Sequence, residues 1–240
     1  MEGYDIVRNV GGVIAVKNKE HWKEVQQRKY DILLKRSEIP KFYWDIEFED
    51  YKGELSKGSV SKCINYSKNC FTEKFDYVNL YLWSEANSSQ KTAILCNIGK
   101  EAIKQGKRVR FVLAGTLIDR LIKNQGFNYN EEIEFYLKNL KDQDLLLIDD
   151  IFDSKKSIHW NNSDLIVAEY DRFLRELTVS GIKIVMTSNV SLDTISKKFG
   201  SSIHALIDRN FYTLEFNDSI KEHRKKMFGN IFDEDEGNDN

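Results

Sequence analysis

From Phe75 onward the chain alternates between short, nearly continuous apolar runs and longer stretches whose apolar residues recur at helical spacing. The runs Tyr77–Trp83, Arg108–Ala114, Asp144–Asp149, Ile182–Thr187 and Phe211–Phe216 are rich in β-branched, aromatic and large aliphatic residues, which predicts strands buried on both faces. Between them, Lys91–Gln105, Thr116–Asn124, Glu131–Asn139, Asp164–Val179 and Leu192–Phe199 carry the helical period. Strands that alternate one by one with helices need crossover connections, and those are right-handed. The pattern therefore predicts an α/β fold of three layers, a mostly parallel five-stranded sheet with helices on both faces. An α+β fold or two separate domains would need the two element types to be segregated along the chain, and they are not.

Ahead of this region, His21–Lys35 reads as a helix, and the single proline, Pro40, separates it from an aromatic and acidic stretch, Phe42–Tyr51. The expected organisation is a short N-terminal segment, residues 1–38, a main domain, 39–228, and an acidic, solvated tail, 229–240. At 240 residues, 41% hydrophobic and 31% charged, the chain has the profile of a globular protein with one sizeable core. Its apolar runs are too short to span a bilayer, and it opens without an export signal, so the expected location is the cytoplasm and no membrane partner is expected. A net charge of -2 provides no field that would draw in nucleic acid, and any such contact needs a local patch. Cys63, Cys70 and Cys96 are odd in number and lack paired metal-site spacing, which points to reduced thiols.

In parallel sheets, ligands gather beyond the carboxyl ends of the strands. After the first strand comes Ser84-Glu85-Ala86-Asn87-Ser88-Ser89-Gln90-Lys91-Thr92, which leads straight into a helix. Against the phosphate-loop pattern G-x-x-x-x-G-K-[ST] the Lys-Thr pair is intact, but Glu85 and Gln90 replace the two glycines that let backbone N–H groups approach phosphates. The candidates for phosphate contact are Ser88, Ser89, Gln90, Lys91 and Thr92; the alternative for the Lys-Thr pair is an ordinary solvated first turn. The third strand ends in Asp149-Asp150, suited to a Mg²⁺ shell and to an attacking water, or simply to a polar loop. The fourth ends in Thr187-Ser188-Asn189, where the Asn189 amide can both donate and accept, or can cap the following helix. Arg209 stands just before the last strand, as a guanidinium offered to a neighbouring subunit or as a surface cation. Lys155–Asn162 mixes cations with Trp160, as contacts to single-stranded DNA do and as a solvated turn with one buried tryptophan does, and Lys107, Arg108 and Arg110 are a second candidate patch or a device of strand-edge solubility.

The ordered set from about Ile39 to Arg224 resembles the AAA+ ATPase domain, a P-loop NTPase, of the DnaC/DnaI-type helicase loaders and their IstB-like relatives. The lead-in Ser37-Glu38-Ile39-Pro40-Lys41-Phe42-Tyr43 followed by Phe48-Glu49-Asp50-Tyr51 fits this family too. The resemblance implies ATP and Mg²⁺ as cofactors, with Lys91 and Thr92 as the Walker A pair, Asp149 and Asp150 as Walker B, Asn189 as the first sensor and Arg209 as the arginine finger. Asp149 and Thr92 would hold the metal, while Asp150, Asn189 and Arg209 would act in catalysis. The second sensor would be Lys221 or Arg224. A phage- or mobile-element-style loader would bind a DnaB-type replicative helicase, touch single-stranded DNA and work as a homo-oligomer or a helicase-bound ring. An IstB-like transposition helper and a non-hydrolysing AAA+ scaffold are the alternatives. Relatives often carry a cysteine-rich N-terminal zinc module, and residues 1–30 contain no cysteine, so residues 1–38 would contact a helicase without metal.

Overall fold

A computed structural model describes residues 4–9, 12–86, 89–123, 130–152 and 163–218. The chain opens with an antiparallel hairpin, β1 (Tyr4–Asn9) paired with β2 (Gly12–Lys17). Helix α1 (Lys19–Arg36) follows; the Asn18 side chain accepts from the His21 N–H at 2.9 Å, and Lys35 and Arg36 sit at the negative end of the helix dipole. Helix α2 spans Lys57–Asn69.

From there strands and helices alternate as the apolar pattern predicts: β3 (Asn79–Trp83), α3 (Lys91–Lys104), β4 (Val109–Leu113), α4 (Ala114–Lys123), α5 (Glu131–Lys141), β5 (Leu145–Asp149), α6 (Ser163–Ser180), β6 (Lys183–Ser188), α7 (Leu192–Asn210) and β7 (Phe211–Glu215). Helix α7 breaks at Gly200, where φ is 86°; the segment read from sequence as ending at Phe199 continues as a second helical stretch.

The main sheet runs β4–β5–β6–β3–β7, with every pairing parallel. Successive strand residues point to opposite faces, and the core divides accordingly. Leu80, Leu82, Leu145, Leu147, Val185 and Leu214 face α1, α2 and α3. Tyr81, Leu146, Ile148, Ile184 and Met186 face a layer built from α4 to α7. The result is three layers with the sheet in the middle. Gly99 lets α3 lie close on β5, since a Cβ there would stand 2.6 Å from Leu147 Cδ1.

The lead-in segment is pinned to this core. The fully buried Lys100 on α3 donates to the carbonyls of Trp44, at 3.0 Å, and Ile46, and stands 3.5 Å from a Glu47 carboxylate oxygen. Burial pushes its pKa below the usual lysine value, against the pull of Glu47. At the edge strand, the Phe111 N–H donates to the Ser37 carbonyl at 2.7 Å, and the Arg110 guanidinium pairs with Glu38 and donates to the Arg36 carbonyl. These contacts seat the C-terminal end of α1 against β4.

Candidate nucleotide site

The carboxyl ends of β3, β5 and β6 lie side by side in the sheet, so the residues that follow them share one rim. At the start of α3, the Lys91 ammonium donates to Asn189 Oδ1 at 3.0 Å and Ser89 Oγ at 2.9 Å, and reaches the Ala86 carbonyl at 3.4 Å. One residue on, the Thr92 hydroxyl donates to the Asp149 carboxylate, at 3.0 Å and 3.2 Å from its two oxygens. Asp149 and Lys91 are buried.

Thr187 closes the arrangement. Its hydroxyl donates to Asp149 Oδ1 at 2.5 Å and accepts from the Asp150 N–H at 2.9 Å, so one side chain orients both acids. The loop after β6 is fixed in turn: Ser188 Oγ donates to the Ile151 carbonyl at 2.7 Å, and the buried Tyr81 hydroxyl donates to the Val190 carbonyl at 2.6 Å. Asp150 adopts a left-handed φ of 58°, a sparsely populated conformation for a residue other than glycine. Cys96 lies one helical turn beyond Thr92; burial, and after it the negative Asp149, pushes its thiol well above the ordinary range.

The replaced glycines fare differently. Gln90 occupies the left-handed region at φ 59°, the conformation for which the pattern requires glycine, and its side-chain oxygen faces the Lys52 N–H at 3.4 Å. Glu85 is exposed and lies outside the left-handed region, so only one of the two substitutions carries backbone strain.

The donor chemistry fits a hard divalent cation beside a phosphate. A hydroxyl and a carboxylate, both oxygen donors, stand together at Thr92 and Asp149, next to an ammonium that donates to Ser89, Asn189 and the Ala86 carbonyl among its partners. Among the described residues no cluster of three or more His, Cys, Asp or Glu side chains forms a metal cage. A Mg²⁺ ion here would complete its shell with phosphate oxygens and water, as that ion commonly does.

The structure brings Ser89, Lys91, Thr92, Asp149 and Asn189 together at the rim, with Gln90 and the Asp150 backbone next to them, and it places Arg209 elsewhere. That residue precedes β7, whose first residue, Phe211, pairs with Asn79 at the opposite end of β3. Four residue steps of about 3.3 Å put it roughly 13 Å or more from the rim, since the strands run parallel. It is exposed and out of reach of its own chain's site. Ser88, Lys221, Arg224, the segment Lys155–Asn162 and the tail 229–240 lie outside the described residues. The second basic patch is engaged within the fold: Arg108 with Asp144, Arg110 with Glu38, and Lys107 over the Phe71 ring at 4.7 Å. Cys63, Cys70 and Cys96 are all free and buried.

The strand order β4–β5–β6–β3–β7 sets an ammonium and a hydroxyl after β3, paired acids after β5 and an amide after β6, the order on which the sequence resemblance rests. The model of the family described as IstB-like ATP binding protein matches residues 13–217, most of the chain. The chain belongs to this family. The fold of this IstB-like protein is also that of several solved structures. Against domain III of the Thermotoga maritima replication initiation protein DnaA the TM-score is 0.58 at 18% identity, covering 81% of this chain and 76% of that one. Against the DnaC helicase loader it is 0.54 at 17% identity, covering 74% and 99%. Against a primosome component from Streptococcus pyogenes it is 0.55 at 16% identity, covering 78% and 96%. The chain spans 55% of a DNA replication initiation factor that it also resembles, with a TM-score of 0.58 and 17% identity over 79% of its own length. No curated protein matches the sequence. No helix among the described residues is long and apolar enough to cross a membrane.

Proposed function

We propose that this IstB-like protein binds ATP with Mg²⁺ at the rim and uses the bound nucleotide to help place a DnaB-type helicase on single-stranded DNA. The observation that carries the nucleotide part is the single hydrogen-bonded set joining Lys91, Asn189, Thr92, Asp149, Thr187 and Asp150 across three strand ends. Lys91 is placed to exchange Ser89 and Asn189 for terminal phosphate oxygens, and Thr92 with Asp149 to hold the metal. Bound Mg²⁺ supplies neutralisation of phosphate charge. Asp150, half-buried directly after β5, orients water, and Asn189 bridges that water and phosphate. Glu85, an exposed carboxylate beside a polyanion, and the strained Gln90 weaken binding and slow turnover. The helicase part is supported by likeness to the DnaC helicase loader, nearly all of which this chain matches in fold.

The test is Mg²⁺-dependent turnover by the purified protein, with Lys91→Ala and Asp150→Ala as controls, followed by helicase loading on single-stranded DNA with the hexameric helicase of the same replicon. Turnover abolished by both substitutions supports the ATPase reading, and no turnover with intact binding points to the scaffold. A transposase partner is a second reading, favoured by the IS21-type family match. Co-purification with a transposase and not with a helicase would select it.

A further inference from the structure

A groove of about 1170 Å³ lies away from the rim, between α1 and the C-terminal end of α3. Its inner members are apolar: Ile103 is buried, and Leu33 and Trp22 are half-buried. Its exposed members include Lys19, Lys23 and Lys29, which carry no ion pair among the described residues, and Lys104, which pairs with Glu101 at 2.5 Å. Among the described residues no acidic side chain lines the groove; Glu20, Glu24 and Asp31 on α1, and Glu47 and Glu101 near Tyr30 and Lys104, lie outside the lining. An apolar floor under a lysine rim fits a segment that carries large apolar residues next to a run of carboxylates.

Such a segment lies beyond Asp218, the last described residue. Residues 227–236 read Met227-Phe228-Gly229-Asn230-Ile231-Phe232-Asp233-Glu234-Asp235-Glu236, apolar residues followed at once by a run of acids. We propose that the α1–α3 groove is the seat of this C-terminal segment in the same molecule. The connection is long enough. Asp218, the last described residue, accepts from Tyr51 at 2.9 Å and from the N–H groups of Leu55 and Ser56, beside the Lys52 that faces Gln90 at the start of α3. The groove is at the other end of α3, a helix of 14 residues and so about 21 Å long. The residues between Asp218 and Met227 can span roughly 30 Å when extended. Docked there, the segment would cover a surface that an acidic partner segment has to win by competition.

The test uses the full chain and a fluorescein-labelled peptide of residues 225–240. In a full-length variant with Phe228→Ser and Phe232→Ser, whose own segment has lost its apolar anchors, the peptide binds saturably. Adding Lys23→Glu and Lys29→Glu weakens that binding at least tenfold, with Lys23→Ala and Lys29→Ala as a milder second pair and the melting temperature as the folding control. A peptide of the same composition with its aromatic residues dispersed among the acids binds at least tenfold more weakly. The unmodified chain binds the peptide at least tenfold more weakly than the serine variant, because a tethered segment competes at about millimolar effective concentration. Absence of binding, indifference to the lysine changes, or equal affinity of the unmodified chain and the serine variant would each overturn the proposal.

Discussion

Thr187→Val replaces a hydroxyl by a methyl of nearly the same volume at a position only 1% exposed, so the change reads out hydrogen bonding with little packing change. The hydroxyl makes two bonds: it donates to the buried Asp149 carboxylate and accepts from the Asp150 N–H. Losing a hydrogen bond to a charged group costs about 1.5–3 kcal/mol, and a buried N–H left without a partner adds about 1–3 kcal/mol. Asp149 keeps the Thr92 hydroxyl, which offsets part of the first figure. The expected destabilisation is therefore about 3 kcal/mol, a change of roughly 150-fold in the folding equilibrium at 1.36 kcal/mol per decade. Urea denaturation followed by circular dichroism measures it, with Thr187→Ser as the control that keeps the hydroxyl and stays within about 1 kcal/mol of the parent, the loss being one methyl group. In a cycle with Asp149→Asn, the two effects are strongly non-additive. A loss below about 0.5 kcal/mol, or simple additivity with Asp149→Asn, would refute the claim that Thr187 organises the two acids.

Gln90→Gly removes about 1–2 kcal/mol of left-handed strain and adds about 0.4–1 kcal/mol of unfolded-chain entropy, for a net gain near 0.5 kcal/mol, whereas Gln90→Val loses about 2 kcal/mol; paired urea melts check the difference in sign. Asp218→Asn costs about 1–2 kcal/mol at pH 7. Burial acts to raise the Asp218 pKa, but hydrogen bonds from Ser56, Leu55 and Tyr51 outweigh it and hold the carboxyl below its usual value. Its stabilisation is therefore full above the unfolded value near 3.9 and is lost as pH falls through the lower folded value, so the stabilities of the Asp218→Asn variant and the parent converge below about pH 4, as thermal melts across pH 2–7 will show. Arg209→Ala leaves nucleotide affinity within about twofold, because the guanidinium lies at the far end of the sheet, and removes ATP-dependent self-assembly measured by light scattering.

The strands were legible in the sequence because burial on both faces leaves continuous apolar runs; Leu145–Asp149 and Phe211–Glu215 start or stop within a residue of the expected bounds. Lys91, Asp149 and Asn189 could be picked out because a charged or amide group directly after an apolar strand marks a rim. Arg209 was placed correctly before the last strand, but its distance from the rim of its own chain could not be read, because residue type says nothing about which end of a strand a flanking helix meets; only the register of β7 with β3 decides it. Thr187 went unread as a site residue because a hydroxyl inside a strand looks like any β-former, and its role depends on a neighbouring strand's acid. Helix α2, Lys57–Asn69, was passed over because it is rich in Ser, Asn and Lys and buries mainly Val60, Cys63 and Tyr66, too sparse a stripe to show periodicity. The hairpin at the start carried a Gly11-Gly12 turn signal between alternating residues, which was available and not used.

The central claim, a nucleotide site at the rim of β3, β5 and β6, is tested most directly by titrating the purified protein with a fluorescent ATP analogue with and without Mg²⁺. The account predicts saturable, Mg²⁺-dependent binding that Lys91→Ala weakens at least tenfold and that Arg209→Ala leaves intact. No saturation at millimolar nucleotide, or binding that ignores the loss of Lys91, would contradict it.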